Sequence, residues 1–254
     1  MAKEAKKPTG GMPVVICHGD KGGVGKSKWC AVVCDWMQAR GIDFALVDGD
    51  TRNPDVARMF KSVVPVAQVN LRSHDGWMDL TDFMSEHEGK AVVISMPAGI
   101  GEELNKEGAK FVSTVKLLGR SMHLFWVINR LPDSVNLLAA AEKTLGGDLS
   151  GRYVVKNCYF GPSDKFTRWD ASATRTAFDA AGGITMQLPE LHERTVDKLY
   201  ADNDNIMPFS LAAQEVGKHH NSPHGFSASE NMELVLWVKA NHDSLDAIRP
   251  SLGV

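Results

Sequence analysis

Short apolar runs alternate with longer amphipathic segments along most of the chain. The runs Met12–Cys17 and Phe44–Val47 contain almost no polar residues, which predicts strands buried on both faces. Between them, Lys26–Arg40 carries its apolar residues on one helical face, which predicts a helix lying on a sheet. Further core strands are predicted at Lys90–Met96, His123–Asn129, Arg152–Cys158 and Ile184–Leu188. This alternation predicts an α/β fold, a doubly wound, mainly parallel sheet with helices on both faces.

The polar segments set the expected organisation of the chain. We predict a disordered basic tail at residues 1–11 and a single domain at 12–254. Within that domain, residues 208–227 are expected to form a polar loop, after which a Ser-Ala-Ser-Glu capping box opens a C-terminal helix at 228–249. Other helices are predicted at Gly76–His87, Glu102–Leu118 and Ser134–Leu145, and a weak edge strand at Val63–Leu71.

Composition and charge are those of an ordinary globular protein. The chain has 254 residues, 43% of them hydrophobic, and a formal net charge of −3. No apolar run approaches the ~20 residues of a membrane span, and the first residues lack the apolar stretch of a signal peptide. The four cysteines stand in apolar patterns, so we expect reduced core thiols and a cytoplasmic protein: Cys17, Cys30, Cys34 and Cys158.

The segment His18–Ser27 has the arrangement of a phosphate-binding loop, because it joins a predicted strand to a predicted helix. Lys26 is placed to neutralise the β- and γ-phosphates of a nucleotide, and the Ser27 hydroxyl to ligate Mg²⁺. Three glycines let the backbone wrap closely around an anion: Gly22, Gly23 and Gly25. The usual motif opens with glycine where this chain has Asp20. A plain glycine turn with a surface lysine would leave the clustered glycines unexplained.

Lys21 adds a second lysine to this loop. The stretch Lys21–Ser27 reads Lys-Gly-Gly-Val-Gly-Lys-Ser and resembles, without a gap, the deviant Walker A motif of the ParA/MinD class of P-loop ATPases. The resemblance covers roughly Met12–Pro208 and implies that Lys21 reaches across an ATP-bridged homodimer to the partner's nucleotide. It also implies nucleotide contacts along the whole motif: Lys21, Gly22, Gly23, Val24, Gly25, Lys26 and Ser27.

Lys28 follows the loop where that family usually has serine or threonine. Two interpretations remain open: a charge that meets the α-phosphate, or a solvated side chain. We include Lys28 among the candidate nucleotide-binding residues.

Asp48 and Asp50 follow the second predicted strand, at the edge of the sheet where ligands bind in open α/β folds. Being two residues apart, both can project into the loop beside the phosphates. The resemblance implies that Asp50 orients the attacking water and that Asp48 lies on the magnesium side. An ordinary turn rich in Asp and Asn is the alternative.

Three later positions carry the expected base contacts. Asn157 stands near the end of a predicted strand, where family members place an amide that reads the adenine edge. Pro189 and Leu191 match the loop that covers the adenine. In contrast, Ser95 stands where the Walker B aspartate belongs, so we expect a weaker hold on a magnesium-bound water and slow hydrolysis.

These observations predict an ATP- and Mg²⁺-dependent switch with Lys21, Lys26 and Asp50 as catalytic residues. The resemblance implies that it forms an ATP-bridged homodimer and positions or mobilises plasmid DNA or another cargo with a protein activator or adaptor. Ser95 supports an alternative, a non-hydrolysing scaffold for a secretion, conjugation or cellulose-synthesis machine. The mildly acidic charge gives no argument for DNA binding, although four basic residues could form a local patch: Lys156, Lys165, Arg168 and Arg175.

Other interpretations have less support. Asp48–Pro54 also resembles a motif of bacterial tyrosine kinases, but the C-terminus lacks the tyrosines that those proteins phosphorylate. No cysteine follows Pro97-Ala-Gly, which argues against the iron–sulfur reductases of the same fold. Three histidines without acidic or cysteine partners at ligand spacing favour a solvated loop over a metal site: His219, His220 and His224. The C-terminal segment is not basic, so we expect no binding to membrane surfaces.

Overall fold

A computed structural model describes residues 11–201, 206–214 and 224–254. Within them, one sheet has the strand order β3-β2-β4-β1-β5-β6-β7, and all neighbouring strands are parallel. The strands are β1 (Gly11–His18), β2 (Phe44–Asp48), β3 (Val66–Gln68), β4 (Ala91–Ser95), β5 (Arg120–Ile128), β6 (Gly151–Asn157) and β7 (Ile184–Leu188). The predicted parallel α/β sheet is confirmed.

Helices cover both faces of the sheet. On one face they are α1 (Lys26–Ala39), α2 (Asp55–Phe60), α8 (Glu193–Leu199), α9 (Phe209–Ala213) and α10 (Ala228–Leu252). On the other they are α3 (His74–Glu86), α4 (Gly101–Leu117), α5 (Pro132–Leu145), α6 (Thr167–Asp170) and α7 (Ala173–Ala180). The central strands are buried on both sides, which explains their unbroken apolar sequences.

The structure departs from the expected elements mainly in short segments. The predicted edge strand shrinks to β3, and four short helices were not foreseen: α2, α6, α7 and α9. Of the predicted polar loop at 208–227, residues 209–213 are helical and 215–223 lie outside the described residues, as does most of the predicted tail. Gly11 already belongs to β1. The capping box of Ser227 and Glu230 is formed, and α10 ends at a left-handed Gly253.

Arg120 fastens the amino-terminal edge of the sheet. It lies at the start of β5, is 6% exposed, and its guanidinium donates four hydrogen bonds to backbone carbonyls. Nη1 reaches Met12 O at 3.0 Å and Lys90 O at 2.8 Å, while Nη2 reaches Met84 O at 2.8 Å and His87 O at 2.6 Å. One buried cation thus joins three strand ends and the end of α3.

The C-terminal helix is tied to α1 by buried polar contacts. His242 Nε2 lies 2.9 Å from Asp35 Oδ2, and the Ser210 hydroxyl donates to Asp35 Oδ1 at 2.8 Å. Near the end of α1, the Arg40 guanidinium donates to Asp246 at 2.7 Å. These contacts fix α1, and therefore the loop that precedes it, against the rest of the fold.

Candidate nucleotide site

The glycine-rich loop joins β1 to α1 at the carboxyl edge of the sheet. Strand β1 lies between β4 and β5, where the strand order reverses, which is the position of ligand-binding crevices in open α/β sheets. Gly23 and Gly25 have φ values of 73° and 98°, in the left-handed region that favours glycine. Gly25 caps α1 without a side-chain hydrogen bond. The first N–H groups of this helix therefore have no side-chain acceptor, which suits an anion.

Lys26 is a buried cation with few partners. The residue is 8% exposed, and its ammonium donates to the Lys21 carbonyl at 3.0 Å, its one hydrogen bond to the described residues. Burial lowers the pKa of Lys26 to about 8, although the charges of Asp20 and Asp50 act in the opposite direction. An ammonium has three donors. Two are thus free for phosphate oxygens, and added negative charge would relieve the cost of burying this cation.

Asn157, at the end of β6, supports the glycine-rich loop through a hydrogen bond. Its Nδ2 donates to Val24 O at 2.8 Å, and its Oδ1 accepts from Tyr159 N at 3.2 Å. A Cβ atom on Gly25 would collide with this amide, so glycine is needed at position 25 for close packing as well as for its φ. The structure gives Asn157 a positioning task that the sequence did not indicate. Its contact with adenine stays a prediction.

Lys21 forms an ion pair within its own chain. Its Nζ lies 2.6 Å from Asp133 Oδ2, in the first turn of α5, and both side chains are partly exposed. Such exposed pairs contribute at most about 1 kcal/mol, so this one can be exchanged for another partner at small cost. Asp133 could not be identified as the partner from local pattern, because 112 positions separate the two residues.

The two aspartates after β2 have different surroundings. Asp48 is 1% exposed, and its carboxylate accepts from Asp50 N at 3.2 Å and from Ala57 N, in the first turn of α2, at 3.0 Å. Burial raises the pKa of Asp48 to about 7. Asp50 accepts from Arg52 N and Asn53 N at 3.1 and 3.2 Å and lines an open cavity of about 600 Å³. Asp50 therefore faces a cavity lined by the loops after β2, β3 and β4, whereas the Asp48 carboxylate accepts from backbone groups.

Ser95 ends β4 beside this pair. It is 2% exposed and in register with Asp48 on one neighbouring strand and Cys17 on the other. The residue that follows, Met96, is also buried and apolar. The end of β4 thus supplies a buried hydroxyl and no carboxylate.

Asp20 connects the phosphate loop to the loop after β4. Its carbonyl accepts from Gly99 N at 2.7 Å, and its carboxylate accepts from Ile100 N at 2.8 Å. From the other side, the Arg72 guanidinium donates to Ala98 O at 2.5 Å and Gly99 O at 3.1 Å. The residue that replaces the first glycine of the usual motif therefore has a structural task, which the sequence did not reveal.

Lys28 and the loop after β7 meet at Trp237 on α10. Lys28 Nζ lies 5.4 Å from the centroid of the indole ring, and burial lowers its pKa. The side chain is half buried and therefore only partly solvated, and its contact with a phosphate stays a prediction. The Trp237 indole donates to Pro189 O at 2.8 Å, and the Leu191 side chain is 3% exposed in the core. Ser27 and Lys28 also line a cavity of about 210 Å³ between α1, α2 and α8.

The expected basic patch after β6 does not consist of free charges. Lys156 is 6% exposed and donates to Asp170 at 2.8 and 2.9 Å, and Arg175 donates to the same carboxylate at 2.6 Å. Arg168 donates to Arg130 O at 3.0 Å, and Lys165 pairs with its neighbour Asp164 at 3.4 Å. Lys156 is therefore not available to such a patch, because it is buried against Asp170, whereas Lys165 lies at the surface.

The parallel sheet, the glycine loop at its order reversal and the buried Lys26 define a P-loop NTPase fold. FtsY from Thermotoga maritima has the same fold, with a TM-score of 0.51 at 15% sequence identity over 93% of this chain and 72% of FtsY. Chloroplast FtsY from Physcomitrella patens aligns less well, with a TM-score of 0.48, 13% identity, and 92% and 68% of the two chains covered. No family model matches the chain.

The chain belongs to the family of the protein MobD. It is 32% identical to MobD from Acidithiobacillus ferrooxidans over 203 residues, which are 80% of this chain and 87% of that protein. Among the described residues, no helix has the length and apolar character needed to cross a bilayer.

Proposed function

We propose that this protein is an ATP-dependent switch in which ATP bridges two copies of the chain and slow hydrolysis separates them. The observation that carries the proposal is Lys26, a buried ammonium with one hydrogen-bond partner at the uncapped start of α1. A nucleotide's phosphates would complete both the cation and the helix N-terminus.

Four residues carry the proposed chemistry. Lys26 binds the β- and γ-phosphates, Ser27 ligates Mg²⁺, and Asp50 orients the attacking water from the side of the open cavity. Lys21 reaches the nucleotide of the second copy after it leaves Asp133. Asp48 supports the magnesium side, although its oxygens already accept two backbone N–H groups. Mg²⁺ would keep several water ligands, as it prefers.

The cellular setting rests on kinship and resemblance. The relationship to MobD and the ParA/MinD-like loop both favour a role in mobilising or positioning plasmid DNA, with a protein activator or adaptor. The net charge of −3 does not favour direct contact with DNA. We therefore propose that cargo is engaged through a protein partner.

Ser95 favours a second candidate function, a nucleotide-bound scaffold that does not hydrolyse ATP. A buried serine holds a magnesium-bound water less firmly than a carboxylate. Phosphate binding by the loop is unaffected by this change. The two functions therefore share the bound state and differ in turnover.

Calorimetric titration with ATP tests the loop, and light scattering with a non-hydrolysable ATP analogue tests the dimer. Lys26→Ala should lose ATP binding, since it removes a charge-assisted contact worth about 1.5–3 kcal/mol. Lys21→Ala should bind ATP but remain monomeric. Asp133→Asn is the matched control, because it keeps Lys21 and removes its partner, so ATP binding and dimerisation should persist. Equal affinity in Lys26→Ala would refute the site, and an unchanged dimer in Lys21→Ala would refute its action in trans.

A further inference from the structure

A second cavity lies beneath the phosphate loop, on the sheet face covered by α3 to α7. Its volume is about 430 Å³, within the range of small-ligand sites. The floor is apolar and aromatic, with Trp126 from β5, Leu104 from α4 and Ala141 from α5. His18, the last residue of β1, also lines it. None of these four side chains has a task in the proposed nucleotide site.

His18 is a buried polar side chain with one unsatisfied ring nitrogen. It is 1% exposed, and its Nδ1 has no hydrogen bond to the described residues. The ring meets Trp126 edge-on, with centroids 4.8 Å apart. Burial and the nearby Lys26 charge lower the pKa of His18 to about 3, so the imidazole is neutral. A buried unpaired nitrogen costs stability. Nδ1 itself has almost no accessible surface, so a ligand's N–H group would satisfy it only after the ring turns Nδ1 toward the cavity.

The polar part of the lining is acidic. Asp20, Glu102 and Glu103 contribute three carboxylates to the lining. The Lys26 charge acts on His18 from outside the lining and offsets only part of this negative charge. The Asp20 carboxylate already compensates the positive N-terminal end of α4, because it accepts from Ile100 N at 2.8 Å. Both glutamates stand in the first turn of α4 and add charge beyond that need. An anion would be repelled here, and a cation attracted.

A metal ion does not fit this site. Within the described ranges, no group of three His, Cys, Asp or Glu side chains is arranged to hold one. The apolar floor also has nothing to offer a hydrated ion. The same floor suits a methylene chain, and indole rings attract organic cations.

We propose that this cavity binds an alkyl cation, a guanidinium or ammonium group on a short methylene stem. The cationic N–H groups would bond the carboxylates of Asp20 and the two glutamates and the neutral imidazole of His18. The stem would pack against Leu104 and Trp126. Such a group could come from a basic side chain of a protein partner or from a free small amine. The proposal does not depend on ATP binding.

Nuclear magnetic resonance of the Trp126 indole N–H in the nucleotide-free protein provides the test. The probes are agmatine, a blocked tripeptide with a central arginine, and the same tripeptide with citrulline. Citrulline keeps the shape of arginine but replaces the guanidinium by a neutral urea. Agmatine and the arginine peptide should shift the Trp126 signal in a saturable way, and the citrulline peptide should not. Much tighter binding of the arginine peptide than of agmatine indicates a protein side chain as the source of the cation. Tighter binding of agmatine indicates a free amine.

Variants locate the binding. Glu102→Gln combined with Glu103→Gln should weaken the binding of either cation by about tenfold or more. His18→Leu should also weaken it, with the indole signal and fold retained in the free protein. Glu86→Gln on α3 is the control of equal charge change outside the cavity and should leave affinity unchanged. The proposal is overturned if no probe shifts the signal at millimolar concentration, if citrulline binds as well as arginine, or if the double variant binds normally. If His18→Leu fails to fold, the double variant alone decides.

Discussion

Two buried cations at opposite edges of the sheet differ in how completely they are satisfied. At the amino-terminal edge, Arg120 donates four hydrogen bonds to backbone carbonyls. At the carboxyl edge, Lys26 donates one to the described residues, and burial lowers its pKa to about 8. Both residues are less than a tenth exposed. Arg120 is thus a buried cation whose hydrogen bonds are made within the fold, whereas Lys26 is a buried cation with unused hydrogen-bond donors.

Burial alone therefore does not show whether a charged side chain stabilises the fold. A buried charge that is fully hydrogen-bonded stabilises the fold locally, since removing it leaves its acceptors unsatisfied. A buried charge with a single partner costs stability in the free protein and gains it when an anion binds. The comparison predicts opposite effects on stability when each cation is removed.

Arg120→Met should have the largest effect. The change leaves four backbone carbonyls without their donor, and we expect a loss of about 3 kcal/mol or more in the free energy of unfolding. Denaturant unfolding followed by circular dichroism measures it. Arg130→Met, which removes an exposed arginine with one long bond to Phe160 O at 3.4 Å, is the matched control and should change stability little. Equal stability of the two variants would contradict the structural assignment of Arg120.

Lys26→Met should stabilise the nucleotide-free protein below pH 8. At that pH both folded and unfolded chains carry the charge, and only the folded chain pays for burying it. Between the folded pKa of about 8 and the unfolded value of 10.5, the unfolded chain binds more protons, so wild-type stability rises with pH. The advantage of the variant, on the order of 3 kcal/mol at most, should therefore shrink through this window. Unfolding curves of both proteins at several pH values measure the difference, and a constant difference would show that Lys26 is not held under strain.

Ser95→Asp should have the smallest effect, a severalfold rise in slow ATP turnover. The new carboxylate would lie beside Asp48 at the carboxyl edge and could hold a magnesium-bound water. Steady-state phosphate release with and without a partner protein measures it. Ser95→Asn, of similar volume but uncharged, is the control. No turnover in wild type or in Ser95→Asp would favour the scaffold over the hydrolytic switch.

The sequence predicted the sheet and the loop well, because both depend on local pattern. Unbroken apolar runs mark central strands, and the glycines with Lys26 and Ser27 mark the loop between strand and helix. Contacts between residues far apart in the sequence could not be predicted. The pairing of Lys21 with Asp133 and the support of the loop by Asn157 depend on how α5 and β6 come beside β1.

Charged residues were the least predictable from the sequence. Lys156 was expected on a basic surface, yet it is buried on Asp170, and Arg120 stands at a strand start where nothing indicates four carbonyl partners. The type of a residue does not reveal whether its charge faces solvent or a set of backbone acceptors. The short helices α2 and α9 were missed for a similar reason, since tertiary packing holds segments too short to be stable alone.

Proton uptake on ATP binding tests directly whether Lys26 is the buried cation that meets the phosphates of the nucleotide. At about pH 9, much of Lys26 is neutral in the free protein, and phosphates beside it should raise its pKa. Calorimetry in two buffers of different ionisation enthalpy should therefore show uptake of most of a proton per ATP by the wild type. Lys26→Arg, whose guanidinium stays charged, should take up much less than the wild type, because only Lys28, whose pKa burial also lowers, can still gain a proton. Tight ATP binding by the wild type without proton uptake would contradict the assignment of Lys26 as the buried cation that awaits the nucleotide.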